Sequence, residues 1–162
     1  MSAAMPMRGF QYRGGCLYCE DVPLADIAAQ AGTPAYVYSA RAILDNYDAY
    51  ARACAGVAHT IHYSEKANSS LGVLALLARR GAGFDIVSGG ELFRVLQAGG
   101  DPARVVFSGV GKTAAEIDYA IGAGIGEFCC ESEAELELLN ERAAARQLRV
   151  PVSLRINPDV EA

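Results

Sequence analysis

The chain has 162 residues, a formal net charge of −5, and 52% hydrophobic against 20% charged residues. This is a globular composition, and its acidic balance with singly scattered basic residues leaves no electrostatic footprint for nucleic acid or an anionic membrane. No apolar run approaches the roughly 18 residues of a membrane span, and Met1–Gly15 contains no apolar export signal, so a soluble, cytoplasmic protein is expected.

Near the start, Phe10-Gln11-Tyr12 and Cys16-Leu17-Tyr18-Cys19 flank the turn signal Arg13-Gly14-Gly15 and read as a hairpin. Cys16 and Cys19 form a CxxC pair, but no second Cys or His pair stands at zinc spacing, so both thiols read as strand residues and no metal is expected. Five cysteines is an odd count, and Cys129 and Cys130 are adjacent, which fits a disulfide framework poorly. Ala35–Tyr38, after Pro34, is expected to be a strand, and Ser39–Ala55 a helix capped by Ser39.

From Thr60 onward one unit repeats: an apolar run, a polar or Gly-rich turn, a helical pattern and a Gly or Pro stop. The runs open near Thr60, Gly83, Val105, Glu127 and Pro151, at spacings of 22 to 24 residues. Strands alternating with short helices produce such a period, and right-handed crossovers make the strands parallel. Ser88…Glu91, Thr113…Glu116 and Ser132…Glu135 each fit a capping box at the start of a helix.

The strand faces separate a doubly wound sheet from a (β/α) barrel. In Thr60–Lys66, Ile61 and Tyr63 alternate with His62, Ser64 and Lys66; in the last run Val152, Leu154 and Ile156 oppose Ser153, Arg155 and Asn157. A polar stripe ending at the carboxyl end of a strand suits a barrel lumen, so an α/β partial (β/α)8 TIM barrel is the expected fold. Such a barrel needs eight strands and typically about 250 residues. The chain is therefore expected to be an N-terminal fragment.

Nucleotide motifs are absent. Gly109-Val110-Gly111-Lys112-Thr113 ends like a P-loop, but Val106 stands where the upstream glycine belongs, and Lys112 reads as a rim or helix-start cation. His59 and His62 do not build a Ser-His-Asp site. Lys66 is the more informative cation: at the inner carboxyl end of a strand, an amine can be desolvated enough to attack a carbonyl, giving Schiff-base chemistry, or it can be an ion-paired lumen residue. Asp85 ends the next strand with the same parity, and spacing does not separate a partner of Lys66 from a residue that positions a proton or cofactor.

The words Gly32-Thr33-Pro34-Ala35-Tyr36-Val37-Tyr38, Tyr63-Ser64-Glu65-Lys66-Ala67-Asn68-Ser69, Gly81–Leu92, Phe107–Thr113 and Leu154–Val160 resemble the diaminopimelate decarboxylase branch of the barrel-type, alanine-racemase-like pyridoxal phosphate decarboxylases. The resemblance implies residues 1–38 as the N-terminal segment of a second, smaller β domain, and 39–162 as about five strands of the pyridoxal-phosphate-binding barrel. It implies pyridoxal 5'-phosphate as cofactor and Lys66 as its Schiff-base lysine. It implies a function as well: decarboxylation of meso-2,6-diaminopimelate to L-lysine and carbon dioxide through a pyridoxal phosphate Schiff base, in lysine biosynthesis.

By position in the family words, Asp85 would sit beside Lys66 and the cofactor, while Glu91 and Arg155 would line the site. Glu91 has a capping role as its plain alternative, and Arg155 a lumen ion pair. The implied partners are a small amino-acid substrate and, at full length, a second copy in a homodimer, with no nucleic acid or membrane. Related ornithine, arginine or carboxynorspermidine decarboxylases, and a non-catalytic truncated paralogue acting as a binding partner, are the alternatives. A doubly wound binding domain is a third. In family chains the histidine that stacks on the cofactor ring, the glycine-rich phosphate loop and the acidic partner of the ring nitrogen all come later. The isolated piece is therefore expected to bind cofactor poorly and to be inactive. One residue departs from the family pattern: Glu65 stands where an apolar residue is usual, on the face of Ile61 and Tyr63, and a carboxylate buried there costs several kcal/mol unless it is paired or reaches the rim.

Overall fold

Gly14 and Gly15 adopt positive φ (57° and 83°) and turn β1 (Phe10–Arg13) into β2 (Cys16–Cys19), an antiparallel pair with Phe10 opposite Cys19. A computed structural model describes residues 8–159 of the chain. Residues 1–7 of the segment read for an export signal, and the closing Val160-Glu161-Ala162, lie outside this range. The chain divides into two compact units, Met1–Val57 and Ala58–Ala162.

In the first unit a short β3 (Val22–Pro23) adds to β2 and leads directly into helix α1 (Leu24–Ala31), neither of which the sequence reading anticipated. Helix α2 (Ala40–Ala53) begins as expected, with the Ser39 hydroxyl accepting the Ala42 N–H at 3.0 Å. Glu20, in a left-handed conformation (φ 55°), accepts the Ser39 hydroxyl and the Arg41 N–H, both at 2.8 Å, and so ties the hairpin to this helix start. Those bonds hold the Glu20 carboxyl below its ordinary pKa. The strand expected at Ala35–Tyr38 does not form. Extended backbone becomes a strand only when a ladder satisfies its N–H and C=O groups, and this segment joins no sheet among the described residues.

The second unit is the expected repeat. Strands β4 (His62–Ser64), β5 (Gly83–Ile86), β6 (Val105–Phe107), β7 (Glu127–Cys130) and β8 (Val152–Leu154) form one parallel sheet in sequential order. Each connection carries a helix: α3 (Leu71–Arg79), α4 (Gly89–Gln97), α5 (Ala114–Ala123) and α6 (Glu133–Ala144). This α/β succession is that of a partial barrel, with consecutive helices packing side by side on one face of the sheet.

Register assigns the faces. Phe84 pairs with Val105, Ile86 with Phe107, and Phe107 with Phe128, so these side chains share the helix-covered face, and all five are buried. Leu74 and Leu77 of α3, Leu92 and Val95 of α4, Ile117 and Ala120 of α5, and Leu139 and Ala143 of α6 close on them. At about 25 cal/mol per Å² of apolar area removed from water, this layer is the main source of stability of the unit. The opposite face carries His62 and Ser64, Gly83 and Asp85, Val106, Glu127 and Cys129, and Ser153.

Candidate functional site

Ligands of parallel α/β folds bind beyond the carboxyl ends of the strands. Five chemistry-bearing residues stand there: Lys66 after β4, Asp85 next to the last residue of β5, Ser108 after β6, Glu131 after β7 and Arg155 after β8. Asp85 is fixed by its neighbours on both sides. The Ser64 hydroxyl donates to one carboxylate oxygen at 3.1 Å and the Ser108 hydroxyl to the other at 2.6 Å. Gly83, on the same face, leaves room for the neighbouring imidazole: a Cβ there would lie 2.8 Å from His62 Nδ1.

Lys66 differs from its expected setting. Strand β4 ends at Ser64, and Glu65–Ala67 form a 3-10 turn closed by the Asn68 N–H on the Glu65 carbonyl at 3.0 Å. The strand alternation therefore stops two residues short of the lysine. Lys66 is exposed, and its amine has no hydrogen bond or ion pair among the described residues. Of the two readings left open for Asp85, the ion pair with Lys66 is not formed; the Asp85 oxygens accept the Ser64 and Ser108 hydroxyls instead.

Glu65 points the other way, into the layer between sheet and helices. Its side chain is fully buried, and neither carboxylate oxygen has a hydrogen-bond partner. Burial, with the nearby charge of Glu91, pushes its pKa up to about 7, against the opposing pull of Arg94.

Glu91 acts as a helix cap, accepting the Val87 N–H at 2.7 Å while its own N–H donates to Ser88 Oγ at 3.2 Å. The expected capping box is thus displaced by one residue: the carboxylate reaches past Ser88 to the residue before it. The Ser132–Glu135 start repeats this displacement, with Glu135 accepting the Glu131 N–H at 3.0 Å, whereas Thr113 and Glu116 make the full reciprocal box. Arg155 pairs with Glu131 at 3.1 Å and remains half exposed. Lys112, expected at the rim, is buried instead. Its ammonium donates to the Gly109 and Cys129 carbonyls, each at 2.8 Å, and to the Glu135 carboxylate, which together satisfy all three N–H groups.

Sequence reasoning missed Ser108 and Glu131 as partners, and Ser64 as the donor to Asp85. The signal for Ser64 was present, since residues opposite each other in parallel strands share a face.

Residues 40–162 match the family described as the pyridoxal binding domain of pyridoxal-dependent decarboxylases. The chain belongs to that family. Among its relatives, the diaminopimelate decarboxylase of Pseudomonas aeruginosa is 56% identical over 96% of the chain and 38% of its own length, and that of Vibrio cholerae 54% over 94% and 37%. The solved diaminopimelate decarboxylase of M. jannaschii in complex with L-lysine superposes with a TM-score of 0.87 at 34% identity, over 95% of this chain and 37% of that one. The chain thus spans less than two fifths of the length of these relatives. The side chains present fit a pyridoxal group, because among the described residues Lys66 offers an unengaged primary amine, the group with which an aldehyde condenses, and Asp85 stands nearby as a carboxylate held by two serines.

Proposed function

We propose that this chain is the cofactor-holding part of a diaminopimelate decarboxylase, which converts meso-2,6-diaminopimelate to L-lysine and carbon dioxide. The observation that carries the reading is the free amine of Lys66 at the carboxyl edge of the sheet, in a chain 56% identical to such an enzyme.

Pyridoxal phosphate, when bound, supplies the sink for the electron pair released as the substrate's carboxylate leaves. Lys66 would hold the cofactor through its side-chain amine. Among the described residues no protein group competes for that amine, so binding there would break no ion pair. Asp85 acts as a fixed carboxylate on the cofactor-facing side, its orientation set by Ser64 and Ser108 rather than by solvent. Arg155, anchored through Glu131 yet half exposed, keeps guanidinium donors for an anionic substrate group. Glu91 shapes the 87–91 turn from the helix start and is assigned to the rim.

Residues 1–38 are assigned to the smaller β domain, and the strands completing the eight-stranded barrel to the part of the protein found in the longer relatives. The assembled enzyme is a cytoplasmic homodimer in this reading, without nucleic-acid or membrane partners. Borohydride reduction of the protein after exposure to pyridoxal phosphate, followed by peptide mapping, tests the proposal. A pyridoxyl adduct on Lys66 is expected; an adduct confined to Lys112 or the N-terminal amine would refute the assignment.

A further inference from the structure

Glu65 is the one fully buried carboxyl group among the described residues with no partner for either oxygen, and it directly precedes Lys66. A charge in that position would be expensive, since no hydrogen bond to either oxygen compensates for the lost water. The charged groups acting on it come from α4: Glu91, which opposes ionisation, and Arg94, which favours it. Strand β5, packed against the turn, contributes Asp85, which is held by serines on the opposite face of the sheet. Helix α3 carries its single charge, Arg79, in its last turn. Strand β4 contributes Tyr63, whose hydroxyl donates to the Asn68 carbonyl at 3.2 Å, and the turn itself contributes Lys66, on the exposed side.

We propose that Glu65 is a positioning residue: as a neutral acid it anchors the 65–67 turn in the sheet–helix layer, and its ionisation loosens that turn and the setting of Lys66. The carboxyl proton goes to solvent, and the carboxylate follows it toward water, which the three-residue turn permits only by opening. The importance of this for chemistry rests on Lys66 being the cofactor lysine; the opening itself does not.

Amide hydrogen exchange of the protein without cofactor, corrected for the intrinsic dependence of exchange on pH, reads the turn through the Asn68 N–H. If opening exposes Glu65, a carboxyl pKa falling from about 7 to its ordinary 4.5 predicts that protection at Asn68 drops about tenfold between pH 6 and pH 8. The Ile117 N–H in α5, bonded to the Thr113 carbonyl at 3.0 Å, serves as the control and should not change. In Glu65→Leu the Asn68 profile should be flat, and Glu65→Gln gives the same reading should the leucine variant fold poorly. A flat wild-type profile, or a variant profile that falls like the wild type, overturns the proposal. Borohydride trapping is scored separately. A pH-dependent turn without a Lys66 adduct supports the anchor while removing the cofactor assignment; an adduct with a flat profile does the opposite.

Discussion

The Glu116 carboxylate accepts the Gly89 N–H, 27 positions earlier in the chain, at 2.9 Å, while its other oxygen accepts the Thr113 N–H at 3.0 Å. One side chain thereby satisfies orphan donors at the starts of both α4 and α5, the two helices that follow β5 and β6 at the candidate site. A Cβ at position 89 would lie 3.1 Å from Glu116 Cγ, so the contact also uses the absence of a side chain at Gly89.

Glu116→Ala should cost about 1–3 kcal/mol, the penalty for leaving helix-start donors unpaired. These bonds hold the Glu116 pKa below its ordinary value. The carboxylate's contribution is therefore complete above the ordinary carboxyl range and is lost as pH falls through the lowered folded value. Urea unfolding of wild type and variant at pH 7 and at pH 3 should show the gap between them narrowing in acid.

Lys112 and Glu135 form a buried ion pair, with side chains 1% and 8% exposed. Lys112→Met should destabilise by about 3–5 kcal/mol, because it strands the carboxylate of Glu135 and two backbone carbonyls. Adding Glu135→Gln should recover part of that loss. A double-mutant cycle measured by chemical denaturation checks both statements.

Lys66→Ala should leave the midpoint of thermal unfolding nearly unchanged, corresponding to about 0.5 kcal/mol or less, since the side chain is exposed and unengaged. The same substitution should abolish the pyridoxyl adduct recovered at this position after borohydride reduction. Unfolding and adduct mapping on one preparation separate the two effects.

Phe107 is fully buried and stacks on Phe128 with ring centroids 6.2 Å apart. Phe107→Ala should cost about 3–5 kcal/mol through the cavity it leaves between sheet and helices. Leucine at the same position should cost less, and calorimetry of the pair would rank them.

The five-strand repeat was legible because every strand opens on the same 22 to 24 residue period and because buried phenylalanines alternate with polar residues. Helix α1 escaped notice because Pro23 at its N-cap makes no side-chain hydrogen bond, which removes the usual start signal. Within the site, Lys66 and Asp85 could be read from their own segments. Their true relationship could not, because alternation extrapolated beyond Ser64 misses the 3-10 turn that takes Lys66 off the strand. Tyr36 and Tyr38 mark the limit of propensity: both favour a strand, yet neither finds a ladder partner among the described residues.

The sheet of the second unit is dry on one side and wet on the other. Phe84, Ile86, Phe107 and Phe128 supply cohesion from the helix-covered side, while Ser64, Asp85, Ser108 and Cys129 stand half-buried on the other. Substitutions on the wet side change what the sheet can grip without withdrawing apolar area from the dry side. A lineage could therefore exchange one ligand for another by altering a few residues at the strand ends, and the scaffold would scarcely register the change.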